Sequence, residues 1–484
     1  MKNAVETLII GAGPAGLAAA MKFSENGRDF LVIEKSGSVG GLAKTYEFEE
    51  ADLVFRTDNG PHRFFSKNPY LYSFIEGLIR ERWIEVRRQT RQFIAGKFYD
   101  YPVNPAQALM NIGPKKALRM MADYGAARIR YGILKKPVRN FEDHIVANFG
   151  RTLGEFNMIN YTEKIWGVPA GTIHADWAVQ RIKGLSVGFL MRAAWDRAKG
   201  AVATKPLRTL VDSFYYPEYG SGLVYETIAE KLAEGGNPVI CDARPTKIRH
   251  EQGRVVAVTI ETGGGETEIA PRYLIESVPP GEFLALLDPA PPLEILRAAE
   301  KMRYRDQAYL FLTFDIDRIT GDQWIYFPEK DIPFGRVSEM KNFSAKMSPP
   351  GKTSLLVEFF CFEGDGIWNM EKEALTELTM HHLVRLGFCK RDDLRRSYHI
   401  RQKKVYPIYD VGYRPYVDAV RSYLDSFENL RCIGRPGRFR YNNQDHSLEM
   451  GIAAAESVMN GTRCDFDAIG GENEYFEKGG HGTA

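Results

Sequence analysis

The chain has 484 residues, with 64 Lys and Arg against 62 Asp and Glu, a net charge of +2, 44% hydrophobic and 26% charged residues. That balance fits a globular protein of two or more domains and gives no electrostatic argument for a nucleic-acid partner. No run is apolar for the length of a membrane span, no signal peptide fits before the first strand, and five scattered cysteines without a CxxC pair speak against zinc sites and disulfide frameworks, so a reducing, cytoplasmic setting is expected.

Val5 to Ile10 reads as a short buried strand that runs straight into Gly11-Ala12-Gly13-Pro14-Ala15-Gly16. Leu17 to Phe23 is helical in composition, and a second strand, Phe30 to Ile33, ends in Glu34-Lys35. Strand, glycine turn, helix, strand and acid in this order form the dinucleotide-binding fingerprint. Gly11 makes the tight turn, Gly13 admits a pyrophosphate to the backbone, and Gly16 lets the helix pack on the sheet. Pro14 suits a first helical turn, whose N–H groups face the phosphates, and Glu34 can accept from ribose hydroxyls.

Ser38-Val39-Gly40-Gly41-Leu42-Ala43 supplies a second glycine turn, which suits the long FAD molecule better than NAD. Asp58-Asn59-Gly60-Pro61-His62 then offers a turn and an imidazole. Residues 67 to about 200 read as mainly helical, from apolar spacing in Leu71–Ile79, Ala106–Tyr124 and Phe141–Phe156. Within them Lys115, Lys116, Arg119, Arg128, Arg130, Lys135, Lys136 and Arg139 face only Asp123. This stretch reads as solvated helix faces, or alternatively as a peripheral membrane contact.

Short strands return at Val239–Cys241, Val255–Ile260, Glu268-Ile269 and Leu274-Ile275, and an antiparallel sheet is expected from Ala308–Phe314, Trp324–Phe327 and Ser354–Phe360. Leu375–Leu386 reads as helix, Leu430–Gly434 as a last strand and Ser447–Met459 as a last helix. Before that helix, Gly434-Arg435 and Asn443-Gln444-Asp445-His446-Ser447 place polar groups at a helix N-terminus, which suits the electron-rich edge of a reduced flavin. His381 and His382 are neighbours on a helix, and no metal-ligand spacing is present.

With these motifs assembled, the chain resembles the FAD superfamily of UDP-galactopyranose mutases and protoporphyrinogen oxidases, nearest the eukaryotic-type mutases and their bacterial relatives. Gly60-Pro61-His62, Tyr161 through Pro169, Trp177 through Arg181, Trp324 through Pro328, Pro333 through Arg336, Asn342 through Ser344, Tyr406-Pro407 and Arg440 through Ser447 carry the likeness. The resemblance implies an α/β fold with a discontinuous Rossmann-type, GR2-like FAD domain at 1–66, 205–285 and 400–465. It implies a helical substrate insertion at 67–204 and an antiparallel-sheet substrate insertion at 286–399; the glycine-rich end, 466–484, reads as a flexible tail.

The function implied is redox-neutral. Reduced flavin attacks the anomeric carbon of a nucleoside-diphosphate sugar through N5, the ring opens and recloses, and NADPH or NADH can act as external reductant. In that scheme Arg181 and Arg336 hold the diphosphate with Tyr326, Tyr406 and Tyr441, Trp166 borders the base, and His62 and Arg435 stand beside the flavin. Gly11, Gly13, Pro14, Ala15, Gly16, Glu34, Lys35, Gly41, Leu42, Ala43, Gly60, Gly434, Asn443, Gln444 and Ser447 bind the cofactor in that scheme. Phe343, Val211 and Thr162 replace polar residues of the mutases, which points to another sugar nucleotide or to a redox enzyme on the same scaffold. An oxidase or desaturase of the protoporphyrinogen, carotenoid or amine type, and a flavin scaffold without turnover, are the alternatives.

Overall fold

The computed structural model describes residues 3–101, 111–177 and 213–470. The predicted Arg181, Val211 and the chain beyond 470 lie outside them. The amino-terminal unit forms as its sequence dictates: β1 (Ala4–Ile10), α1 (Pro14–Glu25) and β2 (Phe30–Ile33), with β1 and β2 parallel. Gly11 has φ +102°, and a Cβ on Gly16 would lie 1.9 Å from the Gly11 carbonyl oxygen, so both turn positions require glycine.

A hairpin follows, β3 (Thr45–Glu50) with β4 (Leu53–Asp58), and then α2 (Pro69–Ile79). The next strands, β5 (Trp83–Arg87), β6 (Thr90–Ile94) and β7 (Lys97–Asp100), correct the helical reading of this stretch. Thr90, Gln92, Phe93 and Ile94 are buried, and a turn at Ala95-Gly96 returns the chain as β7. Helices α3 (Pro114–Ala127), α4 (Phe141–Phe149) and α5 (Asn160–Trp166) occupy the described part of the helical stretch. Gly150, at φ +76°, ends α4, so the expected continuous helix to 156 is broken there.

Beyond residue 212 come β8 (Ser213–Pro217), paired with β5, and α6 (Gly222–Glu234). They are followed by β9 (Arg244–Glu251), β10 (Arg254–Thr262), β11 (Gly265–Glu276) and β12 (Leu287–Asp288). The expected strand at 239–241 is reduced to a single parallel bridge between Ile33 and Ile240. Strand β11 is continuous where two pieces were expected. Its first half pairs antiparallel with β10, and its second runs parallel to β1.

The remaining elements are β13 (Tyr304–Phe314), β14 (Trp324–Tyr326), β15 (Arg336–Glu339), β16 (Thr353–Cys361), α7 (Lys372–Arg385), β17 (Leu394–Pro407), α8 (Tyr413–Asp425), β18 (Leu430–Cys432) and α9 (Gln444–Met459). Among the described residues two seven-stranded sheets organise the molecule. One has the order β12-β9-β10-β11-β1-β2 with β18 beside β11, and the other β17-β13-β16-β15-β14-β6-β7. The second recruits β6 and β7 from the stretch read as helical. It also takes β17, whose carboxyl half had been assigned to the cofactor unit.

Helix α9 lies along α1, where a Cβ on Gly451 would come 2.1 Å from the Ala15 carbonyl oxygen. Two glycine-permitted close approaches, at Gly16 and Gly451, thus clamp α1 between the first sheet and the last described helix. The expected frayed tail from 466 is corrected at its start: Phe466 is buried, and Asp467 pairs with Arg438 at 2.5 Å.

Candidate active site

A single cavity of about 1550 Å³ runs from the β1–α1 turn to the face of the second sheet. Its wall contains every predicted site residue except Gly16 and Gly60, which lie behind it, and Arg181, which is not among the described residues. Residues far apart in the chain therefore converge on one space.

At the first end, Glu34 accepts from Ala12 N–H and Ser36 N–H, both at 2.9 Å, which holds its carboxylate at the carboxyl edge of β2. Lys35 is exposed, 3.9 Å from Glu282. The two glycine turns touch: a Cβ on Gly41 would be 3.1 Å from the Gly13 Cα. Backbone alone lines the cavity there, beside the free N–H groups of the α1 N-terminus. On the opposite wall, Asn443 caps α9 and Gln444 accepts from Tyr225 Oη at 2.6 Å. Ser447 Oγ donates to Asn442 at 3.4 Å. Burial raises Asp445 to about 8 and lowers His446 to about 4, so the helix start carries little fixed charge.

His62 stands between the two ends. Burial, with Arg435 and Arg336 nearby, drives its imidazole down to about 3, so it is neutral, and its buried Nδ1 has no hydrogen-bond partner among the described residues. A neutral ring with an unsatisfied nitrogen on a cavity wall calls for a ligand atom. The bare glycine cradle, the helix N-termini, the acid at the β2 edge and this orphaned nitrogen together fit an elongated dinucleotide.

At the far end, Arg336 on β15 and Glu358 on β16 sit opposite one another in register. The guanidinium donates to both carboxylate oxygens, Nε to Oε1 at 2.5 Å and Nη2 to Oε2 at 2.6 Å, and Glu358 is fully buried. Gln307 Nε2 adds a third donor to Glu358 at 3.2 Å, and Tyr309 Oη donates to Gln307 at 2.5 Å. Gly60 packs under the pair: a Cβ there would lie 3.8 Å from both Arg336 Nη2 and Glu358 Oε2. The fork occupies one edge of the guanidinium and leaves its Nη1 edge for an anion in the cavity.

Aromatic rings complete this end. Tyr406 and Tyr441 stack at 5.7 Å with Arg435 over both rings, at 5.3 and 5.2 Å. Arg435 also donates to the Asn442 and Val405 carbonyls, which fixes the strand-to-helix connection. Trp166 meets Trp177 edge-on at 4.6 Å and Tyr406 at 5.8 Å, and Tyr326 meets Tyr161 at 5.3 Å. Two buried polar atoms on this wall, Trp166 Nε1 and Gln92 Oε1, have no partner among the described residues. Phe343, one of the departures from the mutases, is instead buried against Trp324 at 5.9 Å, while Thr162 does line the cavity.

Sequence reasoning missed Glu358, Gln92, Gln307 and Lys164. Lys164 Nζ donates to the carbonyls of Phe327, Ile332 and Phe334 at 2.6, 2.8 and 3.2 Å, pinning the segment between Tyr326 and Arg336. The signal for Glu358 was present: one carboxylate inside the apolar run Leu355 to Phe360.

The βαβ cradle, the second glycine turn and the capped helix facing one cavity define a dinucleotide-dependent flavoenzyme. The sequence matches the family described as flavin containing amine oxidoreductase over residues 14–431, and the chain belongs to it, with FAD as its cofactor. It is 20% identical to a Klebsiella pneumoniae protein named probable UDP-galactopyranose mutase, over 94% of this chain and 95% of that one. It is 19% identical to an L-amino-acid oxidase of Demansia vestigiata, over 94% and 87%. The solved structure of reduced UDP-galactopyranose mutase shares the fold, with a TM-score of 0.82 at 23% identity over 98% of this chain and 99% of that one. Among the described residues no helix is long and apolar enough to cross a membrane, and no cluster of three or more His, Cys, Asp or Glu could hold a metal.

Proposed function

We propose that this FAD-dependent enzyme is a sugar-nucleotide mutase, acting without net redox change on a nucleoside-diphosphate sugar. The observation that carries this reading is the polar far end of the cavity. The Arg336–Glu358 fork, three tyrosines and the unpartnered Trp166 Nε1 and Gln92 Oε1 stand around one space, a surface that an apolar substrate would leave unsatisfied. Bound FAD, once reduced, supplies the nucleophilic N5. In this reading the Nη1 edge of Arg336 and the hydroxyls of Tyr326, Tyr406 and Tyr441 hold the diphosphate as the anomeric bond breaks. Trp166 and Trp177 flank the base, and neutral His62 hydrogen-bonds the cofactor. Arg181 joins the diphosphate ligands on its sequence match alone.

A second reading, an oxidase, draws on the apolar part of the cavity lining, which includes Phe141, Phe149, Leu153, Phe156 and Met158. One anaerobic experiment separates the two. The yellow protein is reduced with dithionite, or with NADPH or NADH, and offered a panel of nucleoside-diphosphate sugars with products followed by chromatography. A new sugar-nucleotide isomer is expected. No conversion across the panel, together with direct bleaching of the oxidised flavin by an amine or apolar substrate, would overturn the mutase reading.

A further inference from the structure

The described surface has one concentrated apolar patch. Helix α3 and the π-helical turn that follows it, Arg128–Ile133, expose Leu118 (70%), Met121 (59%), Ile129 (54%), Ile133 (73%) and the adjoining Leu134 (71%). The spacing is that of one helical face: Leu118, Met121, Gly125 and Ile129 look outward, while Met120 and Ala127 are buried against the protein. Single exposed apolar residues are ordinary, but several on one face are not.

The same segment is strongly basic. Lys115, Arg119, Arg128, Arg130, Lys135 and Arg139 are exposed and make no side-chain ion pair among the described residues. The segment's single acid, Asp123, points inward, where it accepts from Thr152 N–H at 3.1 Å. Lys136 is spent on Asp143 at 2.8 Å, in a cluster with Tyr131 that fixes the end of the segment to α4. The face is thus apolar along its crest and cationic along its margins.

We propose that this face docks on the surface of an anionic lipid bilayer. Apolar side chains enter the acyl boundary while lysines and arginines stay at the phosphate level. Charge weighs against a second copy and against residues 178–212 as the occupant. A second copy joined through this face would bring its own excess of cations against the first. Residues 178–212 of this chain are no better matched, since Arg181, Lys183, Arg192, Arg197, Lys199, Lys205 and Arg208 outnumber Asp196 and Asp212. The proposal is independent of the reaction assigned above, because no residue of this face belongs to the site described there.

The test is co-sedimentation of the FAD-loaded protein with vesicles of phosphatidylcholine alone or with 30% phosphatidylglycerol. Binding is expected only to the anionic vesicles, with loss at 0.5 M NaCl. The variant L118S/I129S/I133S and the variant K115Q/R119Q/R128Q should each retain flavin yet bind at least tenfold more weakly, since each basic residue at such a surface contributes about fivefold. Three results would overturn the proposal. The first is no sedimentation of wild type with anionic vesicles at low salt. The second is sedimentation unchanged in both flavin-loaded variants. The third is a wild-type dimer in light scattering that the apolar variant converts to monomer.

Discussion

Replacing the members of the Arg336–Glu358 pair one at a time and then together separates the forces that hold the far end of the cavity. Removing one partner of a buried ion pair costs about 3–5 kcal/mol, whereas replacing both by apolar groups of similar volume is close to neutral. Glu358 has no exposed side-chain surface, while Arg336 keeps 16% of its own toward the cavity. Glu358→Leu should therefore fall near the lower figure, about 3 kcal/mol, because water in the cavity hydrates the orphaned guanidinium in part. Arg336→Met should fall near the upper figure, about 5 kcal/mol, because the stranded carboxylate retains only the 3.2 Å bond from Gln307. The double variant should lie within about 1 kcal/mol of wild type. Urea unfolding of the four proteins, at matched flavin content, measures the cycle. On the proposed mutase reading all three variants should lack turnover, so stability and activity part company in the double variant. Additive losses, with the double variant the least stable of the four, would refute the reasoning.

Lys164→Met leaves three carbonyls without their shared donor, a loss of roughly 3 kcal/mol at about 1 kcal/mol each, and releases the segment that spaces Tyr326 from Arg336. Steady-state kinetics should show a raised substrate KM with unchanged flavin content. Asp58 is fully buried and accepts from Thr45 Oγ1, Tyr216 Oη and Ser221 N–H at 2.7, 2.8 and 2.9 Å; burial outweighs these bonds and pushes it up to about 6. The folded state then keeps a proton that the unfolded chain releases near pH 4, so this residue's contribution is whole below that pH and is lost as pH rises through about 6. The slope is about 1.4 kcal/mol per pH unit across that window, and urea titrations at pH 4 and pH 7 should show it flattened in Asp58→Asn.

What could be read from the sequence followed how locally each feature is encoded. The β1–α1–β2 unit was legible because Gly11 and Gly16 leave no other solution to the turn, and β13 and β16 because their apolar runs are long. Strand β17 was not, since Leu394-Arg-Arg-Ser-Tyr-His-Ile-Arg-Gln-Lys-Lys carries charge on both faces and only its place beside β13 makes it a strand. Strands β6 and β7 were hidden for a related reason: Gln92 and Thr90 look like surface residues until the parallel pairing with β14 buries them. The cofactor side of the cavity was visible as glycine and helix-start motifs. The far side was visible only where a family resemblance named the residue, because the partners of Arg336 and the anchor points of Lys164 are set by sheet register and loop closure.

The clamp on α1 bears on how the enzyme acquires its colour during biosynthesis. The helix whose N-terminus faces the pyrophosphate is finished within the first twenty-five residues, but its outer side is closed by α9, the last described helix. A nascent chain displaying the glycine cradle has therefore not yet made the wall that carries Gly434, Asn443 and Ser447. A flavin site walled on both sides is expected only once residues 434–447 are in place, and until then the side of α1 that α9 covers stays open.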